Sequence, residues 1–209
     1  MNEIFSILMR FSWVMGIILV LASINKNTMT QELYQKAIKF SGEKHSEQKV
    51  PGTNSNYLVH ISNVVMEVLI AYNHDNSFDL NLAMQIAILH DTIEDTDATY
   101  EEINEVFGMS IAKGVKALTK NERLTSKEEK MLDSLNRINK LSDEIGIVKI
   151  ADRITNLQAP PEHWTTEKII KYCEEAKLIA IKLTGKNTYL NQRLLAKIKE
   201  YEERIINNS

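Results

Sequence analysis

From Met29 onward the apolar positions recur at helical spacing. Leu33, Ala37 and Phe40 share one face, and Ile61, Val64, Val65, Val68 and Leu69 share another. The pattern predicts one helix from Met29 to about Gly42–Ser46 and a second from about Tyr57 to Tyr72. Between them, Gln48 to Asn56 carries Pro51 and Gly52 among Asn and Ser residues and reads as a loop. Leu82 to Leu89 is apolar almost all round, which predicts a buried helix within about Asp79 to Asp91. Thr28/Gln31 and Thr99/Glu102 have capping-box spacing, and Gly108 stands where a helix after Thr99 should stop. A short helix is expected over Ser110 to Thr119, then a charged, exposed stretch from Lys120 to Glu129. Further helices are expected over Lys130 to Leu141, Asp143 to Leu157, Thr166 to Leu183 and Thr188 to Ile206, with a break at Ala159-Pro160-Pro161. The fold class is therefore all-α, a single multi-helix bundle over residues 29–209.

Residues 1–28 are set apart. Ile4 to Ile24 is mostly apolar, with Arg10 its only basic residue, and is near the length that spans a bilayer. Three readings stand side by side: a membrane anchor, an extra helix on the domain, and an extension upstream of a start at Met29. The anchor would put membrane contact at residues 4–24, beside a cytoplasmic catalytic domain.

Composition narrows the function. The 209 residues are 44% hydrophobic and 25% charged, which suits one domain with a sizeable core. Seven Gly and three Pro leave little room for hairpins. A net charge of -3 argues against a general nucleic-acid partner, since such proteins carry a basic surplus. The single Cys173 excludes an intramolecular disulfide and a thiolate-rich zinc site, and fits a reducing compartment.

Chemistry concentrates where the buried helix ends, at His90-Asp91-Thr92-Ile93-Glu94-Asp95-Thr96. Buried imidazole and carboxylate are costly unless paired or bound to a metal. Adjacent helical side chains diverge by about 100°, so His90 and Asp91 can meet one ion only where the helix ends or distorts. Asp152 and Asn156 are four apart, sharing a face among Ile150, Ala151 and Ile154. Asp152 reads either as a metal ligand or as a surface partner of Arg153. His60, beside the Ile61/Val64 stripe, reads either as a ligand or as a hydrogen-bonded core residue. Two imidazoles and two carboxylates suit a six-coordinate divalent ion such as Mn²⁺.

The order His, His-Asp, Asp resembles the HD phosphohydrolase superfamily. More narrowly, His90 to Thr96 is similar to the His-Asp-x-x-Glu-Asp-Thr segment of the RelA/SpoT hydrolase domain. Phe107-Gly108, Leu118-Thr119-Lys120 and Ala151 to Leu157 resemble further motifs of that domain, in order. Ala37 to His60 resembles its opening region, which ends in Tyr-x-x-His. Trp164, Tyr172 and Gly185-Lys186-Asn187 look like the C-terminal part of its short, stand-alone members. The resemblance implies an HD-domain bundle with a metal site between helices, and hydrolysis of the 3′-pyrophosphate of (p)ppGpp to GDP or GTP and pyrophosphate, with Mn²⁺. It implies His60, His90, Asp91 and Asp152 as ligands and Glu94 and Asp95 as a catalytic acidic pair. For a nucleotide substrate it points to Lys49, Asn156 and Tyr172; Lys168, one helical turn before Tyr172, is placed to meet a phosphate. The bland readings are an acidic surface turn for Glu94 and Asp95, a core aromatic for Tyr172 and an ordinary surface lysine for Lys168. Lys49 departs from the family, whose short members carry Arg there; Lys lacks the planar fork for stacking on a base. His45 matches a family histidine and is expected to be structural. With no segment resembling the family's synthetase domain, the chain is expected to remove the alarmone rather than make it. The alternatives are an HD phosphohydrolase for another nucleotide or NADPH, and a non-catalytic nucleotide-sensing module.

Overall fold

The computed structural model describes residues 30–160 and 164–207, and side chains as far as residue 204. The expectations for residues 1–28 and the Thr28 cap lie outside these. Ala37–Ser209 forms one compact unit, and all that follows concerns it. The predicted all-α class is what the chain adopts. Its helices are α1 (residues 30–44), α2 (Leu58–His74), α3 (Leu80–Leu89), α4 (Thr92–Asp95), α5 (Tyr100–Phe107), α6 (Met109–Leu118), α7 (Lys127–Ile138), α8 (Asp143–Asn156), α9 (Thr166–Lys182) and α10 (Thr188–Asn207). Among the described residues the only β feature is an isolated antiparallel bridge between Lys49 and Asn56, which closes the Pro51-Gly52 loop.

The bundle is organised around α3 and α8. Residues Ala83 to Leu89 are all buried, and so is every residue from Glu144 to Thr155 except Lys149. These two helices pack on each other, and α2 lies against both. Burying a Leu or Ile side chain contributes about 1.5–3 kcal/mol, so fully enclosed Ile86, Ile88, Leu89, Ile147, Ile150 and Ile154 dominate the core. α10 packs on α8 and α9. It is tied to α2 by a bidentate ion pair from Arg193 Nε and Nη2 to the Glu67 carboxylate, at 2.6 and 2.5 Å. α6 approaches α3 at Gly114, where a Cβ would stand 2.5 Å from Ile86 Cδ1 and 3.3 Å from Ile145 Cγ1.

Caps explain most boundaries. Thr99 accepts from the Glu102 N–H at the start of α5, and Gly108 ends it at φ 88°. α7 starts three residues before the predicted Lys130, because Ser126 and Glu129 form a reciprocal capping box inside the charged stretch. The helix expected over Asp79 to Asp91 ends early. α3 stops at Leu89, and one short turn, α4, resumes at Thr92. Thr92 Oγ1 donates to the Leu89 carbonyl at 2.6 Å, satisfying an acceptor left at the break.

Candidate active site

The break after Leu89 lets neighbouring side chains converge. His90 is 3% exposed, with Nδ1 2.8 Å from the Ala87 carbonyl. A carbonyl can only accept, so Nδ1 carries a hydrogen, and Nε2 is the ring atom turned to the carboxylates. That Nε2 lies 2.9 Å from Asp91 Oδ2 and 3.4 Å from His60 Nε2. α2 supplies His60, 6% exposed, whose Nε2 is 3.9 Å from Asp91 Oδ2 and 3.4 Å from Asp152 Oδ1. α8 supplies Asp152, with Oδ1 3.7 Å from His90 Nε2. Imidazole nitrogens and carboxylate oxygens from α2, α8 and the α3–α4 junction thus face one another in a buried place. Such an arrangement needs a cation among them. His60, His90 and Asp91 each offer a ligand atom within 4.8 Å of the others, so this group can hold a metal ion.

The electrostatics agree. Burial opposes an imidazolium at His90, but Asp91 and Asp152 outweigh it and hold the pKa well above the ordinary value. Burial also works against an ionised Asp91, yet His90 overcomes it and brings the carboxyl down to about 2. For Asp152, burial is outweighed by the Lys149 ammonium and by hydrogen bonding to His60 and His90, which keep it well below the usual range. The carboxylates therefore stay ionised and favour positive charge where the four side chains meet.

Side chains beyond the four that meet hold these groups. Tyr57, a turn before His60, donates its hydroxyl to Asp91 Oδ2 at 2.5 Å. Burial and then Asp91 push that phenol's pKa up, so it stays a donor. Lys149 Nζ reaches Asp152 Oδ2 at 3.1 Å, and Asn156 Nδ2 reaches Oδ1 at 2.5 Å. The i,i+3 spacing of Lys149 and Asp152 was readable as a helical ion pair. The Tyr57 bond spans two helices and had only the Tyr-x-x-His spacing to betray it.

Glu94 and Asp95, on α4, lie outside the ligand cluster and face different partners. Glu94 accepts from Lys120 twice, at 2.5 Å from Nζ and 2.9 Å from the backbone N–H. Asp95 Oδ2 accepts from Gln48 Nε2 at 3.1 Å. Burial and then Asp91 raise the Asp95 pKa. Lys120 is therefore no idle surface charge.

The remaining candidates divide. Arg153 turns away from Asp152 and is 4% exposed; it pairs with Glu175 and stacks on the Tyr172 ring, 4.4 Å from its centroid. This removes the surface Asp152–Arg153 pair as a reading. Tyr172 is half-buried, its hydroxyl pKa pushed up to about 12 by burial. It meets Trp164 edge-on at 5.2 Å, and Lys168 Nζ sits 4.1 Å over the Trp164 ring. Tyr172 and Lys168 line a cavity of about 470 Å³ between α7 and α9, with Lys127, Lys171 and Glu175. Lys49 is exposed on its loop, and no contact joins it to the cluster. His45 is buried against Tyr57, ring centroids 5.0 Å apart, and is not among the facing ligands.

A helical bundle with two histidines and two aspartates gathered at its centre defines a class. Residues 37–183 match the HD domain family, and the chain belongs to it. HD-domain hydrolases are metal-dependent, and the His/Asp cluster is where such an ion fits. Among its relatives is the zebrafish (Danio rerio) guanosine-3′,5′-bis(diphosphate) 3′-pyrophosphohydrolase MESH1, 28% identical over 80% of this chain and 93% of that protein. The guanosine-3′,5′-bis(diphosphate) 3′-pyrophosphohydrolase of Aquifex aeolicus is 35% identical over 61% of this chain but only 18% of its own length. A solved structure of a metazoan ortholog of SpoT, described as hydrolysing ppGpp, superposes with a TM-score of 0.69 at 25% identity, covering 80% of this chain and 94% of its own. Among the described residues no helix is long and apolar enough to cross a membrane.

Proposed function

We propose that this chain is a metal-dependent guanosine-3′,5′-bis(diphosphate) 3′-diphosphatase, removing the 3′-pyrophosphate of (p)ppGpp with water to leave GDP or GTP and pyrophosphate. The observation that carries the reading is the convergence of His60, His90, Asp91 and Asp152 from three parts of the bundle. The pyrophosphohydrolase relatives, one of them matched over nearly its whole length, support the substrate.

In this reading those four side chains hold one divalent ion, Mn²⁺ by the mix of imidazole and carboxylate. When bound, the ion acidifies a water and polarises the phosphoryl group. Glu94, held by Lys120, orients or deprotonates the attacking water. Asp95, whose raised pKa favours keeping a proton, passes one toward the leaving 3′ oxygen. Asn156 lies beside the ligand Asp152 and contacts the ribose and phosphates. Tyr172 and Lys168, on the wall of the α7–α9 cavity, meet the rest of the nucleotide, and Lys49 approaches the base from its loop.

The deciding experiment incubates the full chain and Mn²⁺ with ppGpp, pppGpp, common nucleotides and NADPH. Release of pyrophosphate from ppGpp and pppGpp is expected. Turnover of another nucleotide or NADPH alone would reject the substrate while keeping the chemistry. Binding without turnover of any would make the chain a sensor.

A further inference from the structure

His45, at the end of α1, is 1% exposed. Its Nδ1 stands 2.5 Å from Gln48 Oε1, while its Nε2 has no hydrogen-bond partner. Gln48 Nε2 in turn donates to Asp95 Oδ2 at 3.1 Å. The direction of this chain is fixed by chemistry. An amide oxygen can only accept, so His45 Nδ1 carries the hydrogen. With Oε1 held there, the amide NH₂ has to point at Asp95. A flipped Gln48 would set its oxygen against a carboxylate oxygen and lose the bond to Asp95, and His45 would have to move its hydrogen to Nε2 to accept the NH₂. Burial lowers the His45 pKa, which suits a neutral ring with one hydrogen. Its stacking on Tyr57 and the hydrogen bond from its own N–H to the Ser41 carbonyl at 2.9 Å hold the ring's place.

We propose that Gln48, locked by His45, is a positioning residue for Asp95. It marks Oδ2 as the oxygen that accepts and leaves Oδ1 as the oxygen that can hold or pass a proton. This rests on the role given to Asp95 above. A carboxyl that delivers a proton needs that proton on the oxygen facing the reacting bond, and misplacement by about 1 Å costs on the order of 10²-fold in rate. Asp95 is the exposed residue of a single-turn helix and has no other side-chain hydrogen bond among those described. Without Gln48, its carboxyl is free to rotate. His45 thus has a task without being a ligand: it holds the oxygen end of the Gln48 amide while the NH₂ faces the Asp95 carboxylate.

The test uses the full-length protein loaded with Mn²⁺, with four variants: Gln48→Glu, Gln48→Leu, Asp95→Asn, and Gln48→Leu combined with Asp95→Asn. Gln48→Glu keeps the oxygen that meets His45 and replaces the donor facing Asp95. Both single Gln48 variants are expected to lose roughly tenfold or more in kcat, with KM within about twofold and bound metal unchanged. The double variant is expected to fall no further than Asp95→Asn, because Gln48 acts through that carboxyl. Losses that multiply would overturn the relay, as would a raised KM at full kcat, which would put Gln48 on the substrate. Should Asp95→Asn fall below detection, the split between kcat and KM in the Gln48 variants decides alone. Near-normal turnover by Asp95→Asn would instead reject the role given to Asp95, a separate failure visible in that variant by itself.

Discussion

Tyr57 holds Asp91 across the gap between two helices, its hydroxyl 2.5 Å from Oδ2. Three residues on, His60 enters the same cluster. One turn of α2 therefore provides both a proposed ligand and the donor that aims another. Groups hydrogen-bonded to ligands typically carry about 10–100-fold in metal affinity or activity. Tyr57→Phe keeps the ring against His45 and removes only the donor. It is expected to weaken Mn²⁺ binding about tenfold, read by titration of the metal-free protein. Unchanged affinity would reduce the contact to packing.

Asp152→Ala and Glu94→Gln separate holding the ion from using it. Asp152→Ala is expected to lose both bound metal and activity; metal content that survives intact would remove Asp152 from the ligand set. Glu94→Gln is expected to keep its metal and lose on the order of 10²-fold in turnover. A fully active Glu94→Gln would return Glu94 to the role of a surface anchor for Lys120.

Removing the metal should cost stability as well as activity. The facing carboxylates and imidazoles of the cluster are tolerated best with a cation among them. A ligand that binds only the folded state, at about a hundred times its dissociation constant, adds about 2.7 kcal/mol. Chelation is expected to lower the thermal midpoint and abolish turnover, and Mn²⁺ to restore both. A midpoint indifferent to Mn²⁺ would show that the cluster does not bind it.

Gly114 tests the packing beneath the site. An Ala there gains up to about 1 kcal/mol of helix propensity, but its Cβ meets fully buried Ile86 at 2.5 Å, and overpacking costs about 1–3 kcal/mol. The second effect is larger, so Gly114→Ala is expected to lose about 1 kcal/mol in denaturant unfolding. A stabilised variant would mean that Ile86 can swing aside.

Cys173 offers a pH readout. Burial raises its thiol pKa, so the folded state disfavours the thiolate. This contribution to stability is complete below the unfolded thiol's pKa and is lost as pH rises through the folded value. Alkylation at pH 8 is expected to be slow in the native protein and fast in urea, as followed by intact mass. Rapid native labelling would place the α9–α10 contact among locally opening segments.

The sequence makes the bundle and the gathering of His90, Asp91 and Asp152 legible for a physical reason. Helical period exposes faces, so Asp152 and Asn156 appear on one face, and an apolar run ending in His90-Asp91 marks a buried terminus. What lies between helices has no such period. Lys120 sits in a charged stretch that looks solvent-facing, and its partner Glu94 is far away in the chain. Arg153 next to Asp152 looks like its counter-ion, but a helix turns adjacent side chains apart, and Arg153 goes to Glu175 and Tyr172. Gln48 in a polar loop gives no local sign that it reaches Asp95.

The order of the proposed ligands along the chain also has a consequence for synthesis. His60, His90 and Asp91 lie in the first half, and Asp152 arrives only with α8, the helix on which α2, α3 and α10 all pack. A nascent chain that ends before α8 has neither the fourth ligand nor the helix that closes the core around the other three. Since domains fold as units during translation, ion capture becomes a checkpoint on completion, and no truncated product ending before α8 should be able to consume the nucleotide.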